Sequence, residues 1–212
     1  MRREVEVKST VEGWVPRTSL GKLVQEGKIT SMEDVFTQGH RIVEAEIVDI
    51  LLPGLEHEVL ATSLVQKQTD AGEKSRFKAI VVVGVKGYIG VGSAKAKQWR
   101  MAVEKAVVNA KLRVTPVRYG CGSWECACGQ PHSLPFKVIG KCGSVMVEMV
   151  PGPRGLGIVA SENVKTVIRM AGIKDCWTRT RGSTRTTPSL IYAVYNALKN
   201  TYRVITPEDW VR

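Results

Sequence analysis

The sequence predicts an α+β protein with a helical extension over residues 1–56, a β-β-β-α unit over 57–118 and a second α/β unit over 119–212. Three observations carry this. Apolar residues follow short helical spacings up to Pro53-Gly54, and the period then shifts to strand-like alternation. The run "FKAIVVVGV" (77–85) has the continuous apolar character of a buried strand and precedes a glycine turn and a long helical pattern. After a loop-rich stretch, strand-like and helix-like segments return as "FKVIG", "SVMVEMV", "ENVKTVIRMAG" and "SLIYAVYNALKN", with no internal repeat.

The extension reads as three short helical patterns, "TSLGKLVQEGK", "TSMEDVFTQG" and "IVEAEIVDILLP". Thr30 or Ser31 caps the second, and Glu33 and Asp34 sit at the positive end of its dipole. Its apolar stripes are short, which suits a peripheral extension more than an independent core. "EVLATSLVQKQ" alternates in part, and "YIGVG" makes a third short strand after a Lys86-Gly87 turn. Ser93 is the N-cap expected for the next helix. That helix sets Trp99, Ala102, Val103, Ala106 and Ala110 on one face and Lys97, Arg100 and Lys111 on a neighbouring one. In the second unit a turn at Lys141 to Gly143 joins two strands, "PGPRGLG" is a loop, "IVAS" a short strand, and Gly172 ends a helix. Thr187-Pro188 opens the last helix, where the missing proline N–H costs nothing.

Composition narrows the function. A net charge of +11 and a pI near 9.6 favour a polyanionic partner. Residues 1–66 carry seven basic against eleven acidic side chains (net −4), 67–118 twelve against three (net +9), and 119–212 twelve against six (net +6). The middle segment is the expected electrostatic footprint. No apolar run approaches the roughly 20 residues of a membrane span, and "MRREVEVKST" builds no signal-peptide core. The expectation is a cytoplasmic protein with no membrane partner. Five cysteines, three of them between 121 and 128, do not make a secreted disulfide framework.

The stretch "GYIGVGSAKAK" (87–97) invites a phosphate-loop reading and fails it. A P-loop needs lysine where Ser93 stands, and a dinucleotide fingerprint needs an acid about twenty positions on, where residues 105–118 have none. Two readings remain: a helix N-terminus flanked by Lys95, Lys97 and Arg100, suited to a phosphodiester backbone, or a tight hairpin with a solvated lysine face. Lys67, Lys74, Arg76 and Lys78, on or beside the feeding strands, bring more charge toward one ligand. "CGSWECACGQPH" offers Cys121, Cys126, Cys128 and His132, either a tetrahedral Cys3His zinc site or a reduced, partly buried loop. Trp177, Arg179, Arg181 and Arg185 make an aromatic-basic cluster suited to stacking on RNA or bracing a protein neighbour. Cys142 and Cys176 read as small core residues, and Glu148 and Asp175 as strand-edge or turn acids. His40, His57 and His132 fall in loops or at helix edges and join no His-Glu-x-x-His pattern. No catalytic residue and no required cofactor are expected, with zinc as a candidate.

Several segments in order carry a resemblance. "VQKQTDAGEKSRFKAIVVVGVKGYIGVGSAKAK", "PFKVIGKCGSVMVEMVPGPRGLGIVAS", "MAGIKDCWTRTRGSTRTT" and the closing "TPEDW" resemble the universal small-subunit ribosomal protein S-five family. "VPRTSLGKLVQEGKITSMEDVF" is typical of its archaeal and eukaryotic branch, and the thiol-rich loop is most similar to archaeal members. The resemblance implies a first domain like a double-stranded-RNA-binding domain and a carboxy-terminal two-layer α/β domain with a left-handed crossover. It also implies small-subunit ribosomal RNA and neighbouring ribosomal proteins as partners. The place implied is beside the channel where messenger RNA enters, near the decoding region, with a role in accuracy and assembly. By position, Gln66, Lys67, Gln68, Arg76, Phe77 and the Lys86–Gly92 turn, including Gly87 and Tyr88, inherit the RNA-facing role. Two places depart from the family pattern: Val85-Lys86-Gly87 at the turn, and Tyr192 where lysine is usual. The alternative is a phosphotransferase built on "PGPRGLGIVAS", which needs a magnesium-binding acid near that loop.

Overall fold

The computed structural model describes residues 14–204, so "MRREVEVKST" and "TPEDW" lie outside the described residues. Three short helices come first: α1 (Ser19–Gln25), α2 (Met32–Thr37) and α3 (Ala45–Leu51). Thr18 caps α1 by accepting from the Gly21 amide, and Ser31, not Thr30, caps α2 by accepting from the Glu33 amide. Helices this short do not hold themselves in water. The Glu44 carboxylate ties the start of α1 to that of α3 by accepting from the Arg17 and Thr18 amides at 2.9 and 2.8 Å. Leu20, Val24, Val35, Ile47 and Val48 are buried together with Val83, Ala110 and Val114 of the following unit. The extension has no core of its own. Its stripes are short because three helices share one core with the sheet behind them.

β1 (Glu56–Thr69), β2 (Gly72–Val85), β3 (Tyr88–Ala96) and β4 (Thr115–Pro116) form an antiparallel sheet in that order. Helix α4 (Trp99–Lys111) covers one face. Two expectations are corrected here. β3 runs through "SAKA" to Ala96, and the N-cap of α4 is Gln98, not Ser93. The reason is packing: a Cβ on Gly90 would stand 2.3 Å from the Ala110 carbonyl oxygen, and one on Gly92 would stand 2.3 Å from that of Ala106. The glycines let the helix lie directly on the strand, and the ladder to β2 carries the chain onward despite weak strand propensity. Trp99, expected on the buried face, is 52% exposed.

β5 (Val138–Cys142), β6 (Val145–Pro151), β8 (Cys176–Arg181) and β7 (Ile158–Val159) make the second sheet in the order β5-β6-β8-β7. β7 runs parallel to β8, joined by α5 (Glu162–Met170), and the other pairs are antiparallel. Helix α6 (Thr187–Lys199), with Pro188 in its first turn, packs on β5 and β6. One buried cluster joins the two sheets: Ile80, Val82, Ile89 and Val91 meet Val147, Ile168, Ile191 and Val194. The first sheet is thus covered by α4 on one face and by the second unit on the other. The Tyr192 hydroxyl reaches Ser93 Oγ at 3.0 Å, tying α6 to β3, which gives this departure from the family pattern a structural role.

Candidate nucleic-acid interface and thiol cluster

Strand β3 ends opposite Phe77, so β1 and β2 continue as a two-stranded ribbon through Val65↔Arg76, Gln66↔Ser75, Lys67↔Lys74 and Gln68↔Glu73 to Thr69↔Gly72. The ribbon is exposed on both faces apart from half-buried Val65 and Gly72. Alternation sorts its residues. Lys74, Arg76 and Lys78 share one face of β2, and their partners place Lys67 and Lys95 on that same face. Lys67 stands directly opposite Lys74, and Lys78 directly opposite Lys95. Like charges in direct cross-strand pairs destabilise an isolated sheet. Within the ribbon beyond Phe77 no acid shares this face, because Glu73 lies on the other and Asp70 is in the turn. Gln66, Gln68 and Phe77 also point to the second face, where Gln66 Nε2 donates to Glu73 and Ser75 at 3.1 and 3.2 Å.

The structure does not bring every expected residue to this ribbon. Lys97 lies exposed in the link to α4, not in the helix, and Arg100 bonds Glu104 one turn on, at 3.2 Å. Lys111 is held by Asp49 at 2.7 Å. The Lys86-Gly87-Tyr88 turn is at the opposite end of the 14-residue strand β2, roughly 45 Å from the tip. There the Tyr119 hydroxyl accepts from the Gly87 amide and donates to the Ala171 carbonyl, and Tyr88 stacks on Phe36 at 6.2 Å. This turn packs the molecule together and leaves the Lys86 side chain exposed.

Trp177, Arg179 and Arg181 share one face of β8, opposite Val150, Glu148 and Met146, and Arg185 follows in the exposed loop. Glu148 is paired with Lys137, which, ahead of Arg179 and Arg181, holds its carboxyl below the usual range. Strand β8 has no clear sequence signal, because "CWTRTR" shows a single buried residue, Cys176.

The thiol loop closes on itself. The ligand atoms of Cys121, Cys126, Cys128 and His132 all lie within 4.8 Å of one another. Cys121 Sγ is 3.5 Å from Cys128 Sγ, and Cys126 Sγ is 3.6 Å from His132 Nε2. A tetrahedral zinc with ordinary bond lengths has S···S and S···N edges of about 3.8 and 3.6 Å. Backbone amides of Cys128 and Arg154 lower the Cys126 thiol to about 6, whereas hydrogen bonding with Cys128 and then Cys126 raises Cys121 to about 11. His132 is buried, and its Nδ1 meets Asp175 Oδ2 at 2.8 Å. The other oxygen, Oδ1, accepts from the Gly155 and Gly157 amides at 3.1 and 2.8 Å. In sequence Asp175 is a strand-edge or turn acid, since 43 residues of chain separate it from His132. Its grip on the loop also removes the phosphate cradle that a phosphotransferase would need there.

A one-sided cationic ribbon standing on a sheet packed from both faces is a surface whose charge suits the phosphates of an extended polyanion. Sequence comparison gives the family. Residues 55–118 match the model of ribosomal protein S5, N-terminal domain, and residues 140–210 that of ribosomal protein S5, C-terminal domain. The chain is 55% identical to small ribosomal subunit protein uS5 of Sulfurisphaera tokodaii over 213 residues, covering 100% of this chain and 99% of that protein. It is 56% identical to that of Staphylothermus marinus, with 97% and 96% covered, and 57% identical to that of Aeropyrum pernix, with 94% and 92% covered. The chain belongs to the ribosomal protein S5 family. Among the described residues no helix is long and apolar enough to cross a membrane.

Proposed function

We propose that this protein is a structural component of the small ribosomal subunit that binds ribosomal RNA through the cationic face of the β1–β2 ribbon. The observation that carries the reading is the pair of like-charge rows, Lys67↔Lys74 and Lys78↔Lys95, with Arg76 between them. A-form RNA is recognised largely by shape, phosphates and 2′-hydroxyls, which a basic ribbon meets without a base-reading pocket. Lys97 and Arg100 are exposed apart from the ribbon and offer separate phosphate contacts, while Arg179, Arg181 and Arg185 with Trp177 offer a second surface for RNA or a ribosomal protein neighbour. Gln66, Gln68 and Phe77 on the other face suit contacts near the channel where messenger RNA enters, which would connect the ribbon to decoding accuracy. We assign no catalytic residue.

The test is binding of the full-length protein to small-subunit ribosomal RNA across a salt series. Affinity falls steeply with ionic strength, and Lys67→Glu and Arg76→Glu weaken binding without lowering the melting temperature. A flat salt response, or normal binding by both variants, would sink the assignment.

We read Cys121, Cys126, Cys128 and His132 as a structural zinc site. Four protein ligands leave no open position for water, so the metal orders the loop and performs no hydrolysis. Stoichiometric zinc in the reduced protein, lost in Cys126→Ser, is the expected result. Metal-free protein prepared without chelator would leave an ordinary loop.

A further inference from the structure

Resting on that zinc reading, we propose that Asp175 links the metal site to the glycine-rich loop 152–157, so that zinc binding and loop order are one coupled equilibrium. The loop has little to hold it but hydrogen bonds. Gly155 and Gly157 adopt φ of 89° and 75°, and the loop folds back through Leu156 N to the Pro153 carbonyl at 3.3 Å. Glycines in such a turn lose much freedom on ordering. Its amides are taken up by the thiol segment and Asp175. Gly152 donates to Ser133 Oγ at 3.1 Å, and Gly155 and Gly157 donate to Asp175 Oδ1. Ser133 Oγ donates in turn to the Asp175 carbonyl, and the His132 carbonyl accepts from the Lys174 amide at 3.0 Å.

Zinc on His132 Nε2 fixes the proton on Nδ1, where it is donated to Asp175 Oδ2. Without the metal nothing anchors Nε2, so the ring is free to turn about its side-chain bonds and carry Nδ1 away from the carboxylate. Asp175, whose side chain is 7% exposed, then loses one of its three donors and its fixed orientation. The Gly155 and Gly157 amides are released with it. Linkage is reciprocal: whatever the metal does for the loop, the ordered loop and its carboxylate do for metal affinity. Asp175 is thus a positioning residue acting through His132.

The experiment follows hydrogen exchange at residues 154–157 of the full-length protein, zinc-loaded and after chelation, in the parent, Asp175→Asn and Cys126→Ser. Zinc affinity comes from competition with a chromophoric chelator, and the ligand field from the visible absorption of cobalt-loaded protein. Loop exchange should rise on metal removal while α6 stays protected, and Cys126→Ser should match the metal-free parent. Asp175→Asn should bind zinc about 10–100-fold more weakly, shift the cobalt absorption and keep fast loop exchange when loaded. Loop exchange that ignores the metal, or unchanged affinity in Asp175→Asn, overturns the coupling and leaves the zinc site standing. Absence of zinc in the parent overturns both. Should Asp175→Asn not fold, the chelation and Cys126→Ser arms decide.

Discussion

Single residues in this chain are constrained by what approaches them. Gly92 and Gly143 look alike in sequence, yet a Cβ at Gly92 would sit 2.3 Å from Ala106 and Ala110 backbone atoms, while nothing lies within 4 Å of one at Gly143. Gly92→Ala should destabilise by at least about 1–3 kcal/mol, because backbone has to move. Gly143→Ala, strained only by its φ of 60°, should cost about 1 kcal/mol. Thermal melts of the two variants check the order, and equal losses would contradict the packing role. Cys176 supplies a pH test. Burial raises its thiol from 9.0 to about 12. The unfolded chain ionises first, so this contribution to stability is complete below pH 9 and falls away as pH climbs toward 12. Cys176→Ala should lower stability at neutral pH and flatten the alkaline fall, and a melting series from pH 7 to about 11 shows whether the slope changes.

Among the elements, the β1–β2 ribbon is the one whose sequence works against its own stability. A two-stranded hairpin with no buried face is marginal in water, and here one row opposes Lys67 to Lys74, with a second, Lys78 to Lys95, at its base on β3. Lys67→Glu would convert Lys67↔Lys74 into an opposite-charge pair. The isolated protein should gain about 0.2–1 kcal/mol while RNA affinity drops, a separation that a melt and a binding assay together reveal. A variant that loses both has merely unfolded. The ribbon's charge was legible because lysine and arginine announce themselves. Its sidedness was not, since that depends on the register of β1 against β2 and on where β3 stops. The full length of β3 is not legible in sequence, because "SAKA" follows its ladder rather than its propensity.

At the scale of the molecule, one buried cluster runs from Ile80 and Val91 into Ile168 and Val194, and a second from Val83 into Ile47. The units are therefore not independent modules. A fragment of residues 57–118 leaves Ile80, Val82, Ile89 and Val91 uncovered, and it should melt well below the full chain and bind a hydrophobic dye. The full chain should unfold in one transition, followed by circular dichroism and tyrosine-tryptophan fluorescence together. A stable, dye-silent fragment would show that the second unit is not needed to close the sheet.

The sequence by itself determined the order of most elements other than β8, the basic middle segment, the soft-ligand set at residues 121–132 and, through several ordered motifs, the family. These are local or compositional properties, carried by periodicity, charge and residue type within a short window. Only the tertiary structure decided that the glycines of β3 serve a helix, that Lys86–Tyr88 packs away from the ribbon tip, that five cations share one face, and that Asp175 stands behind His132. Each of those is a contact between distant positions, set by strand register and by which surfaces must be buried together.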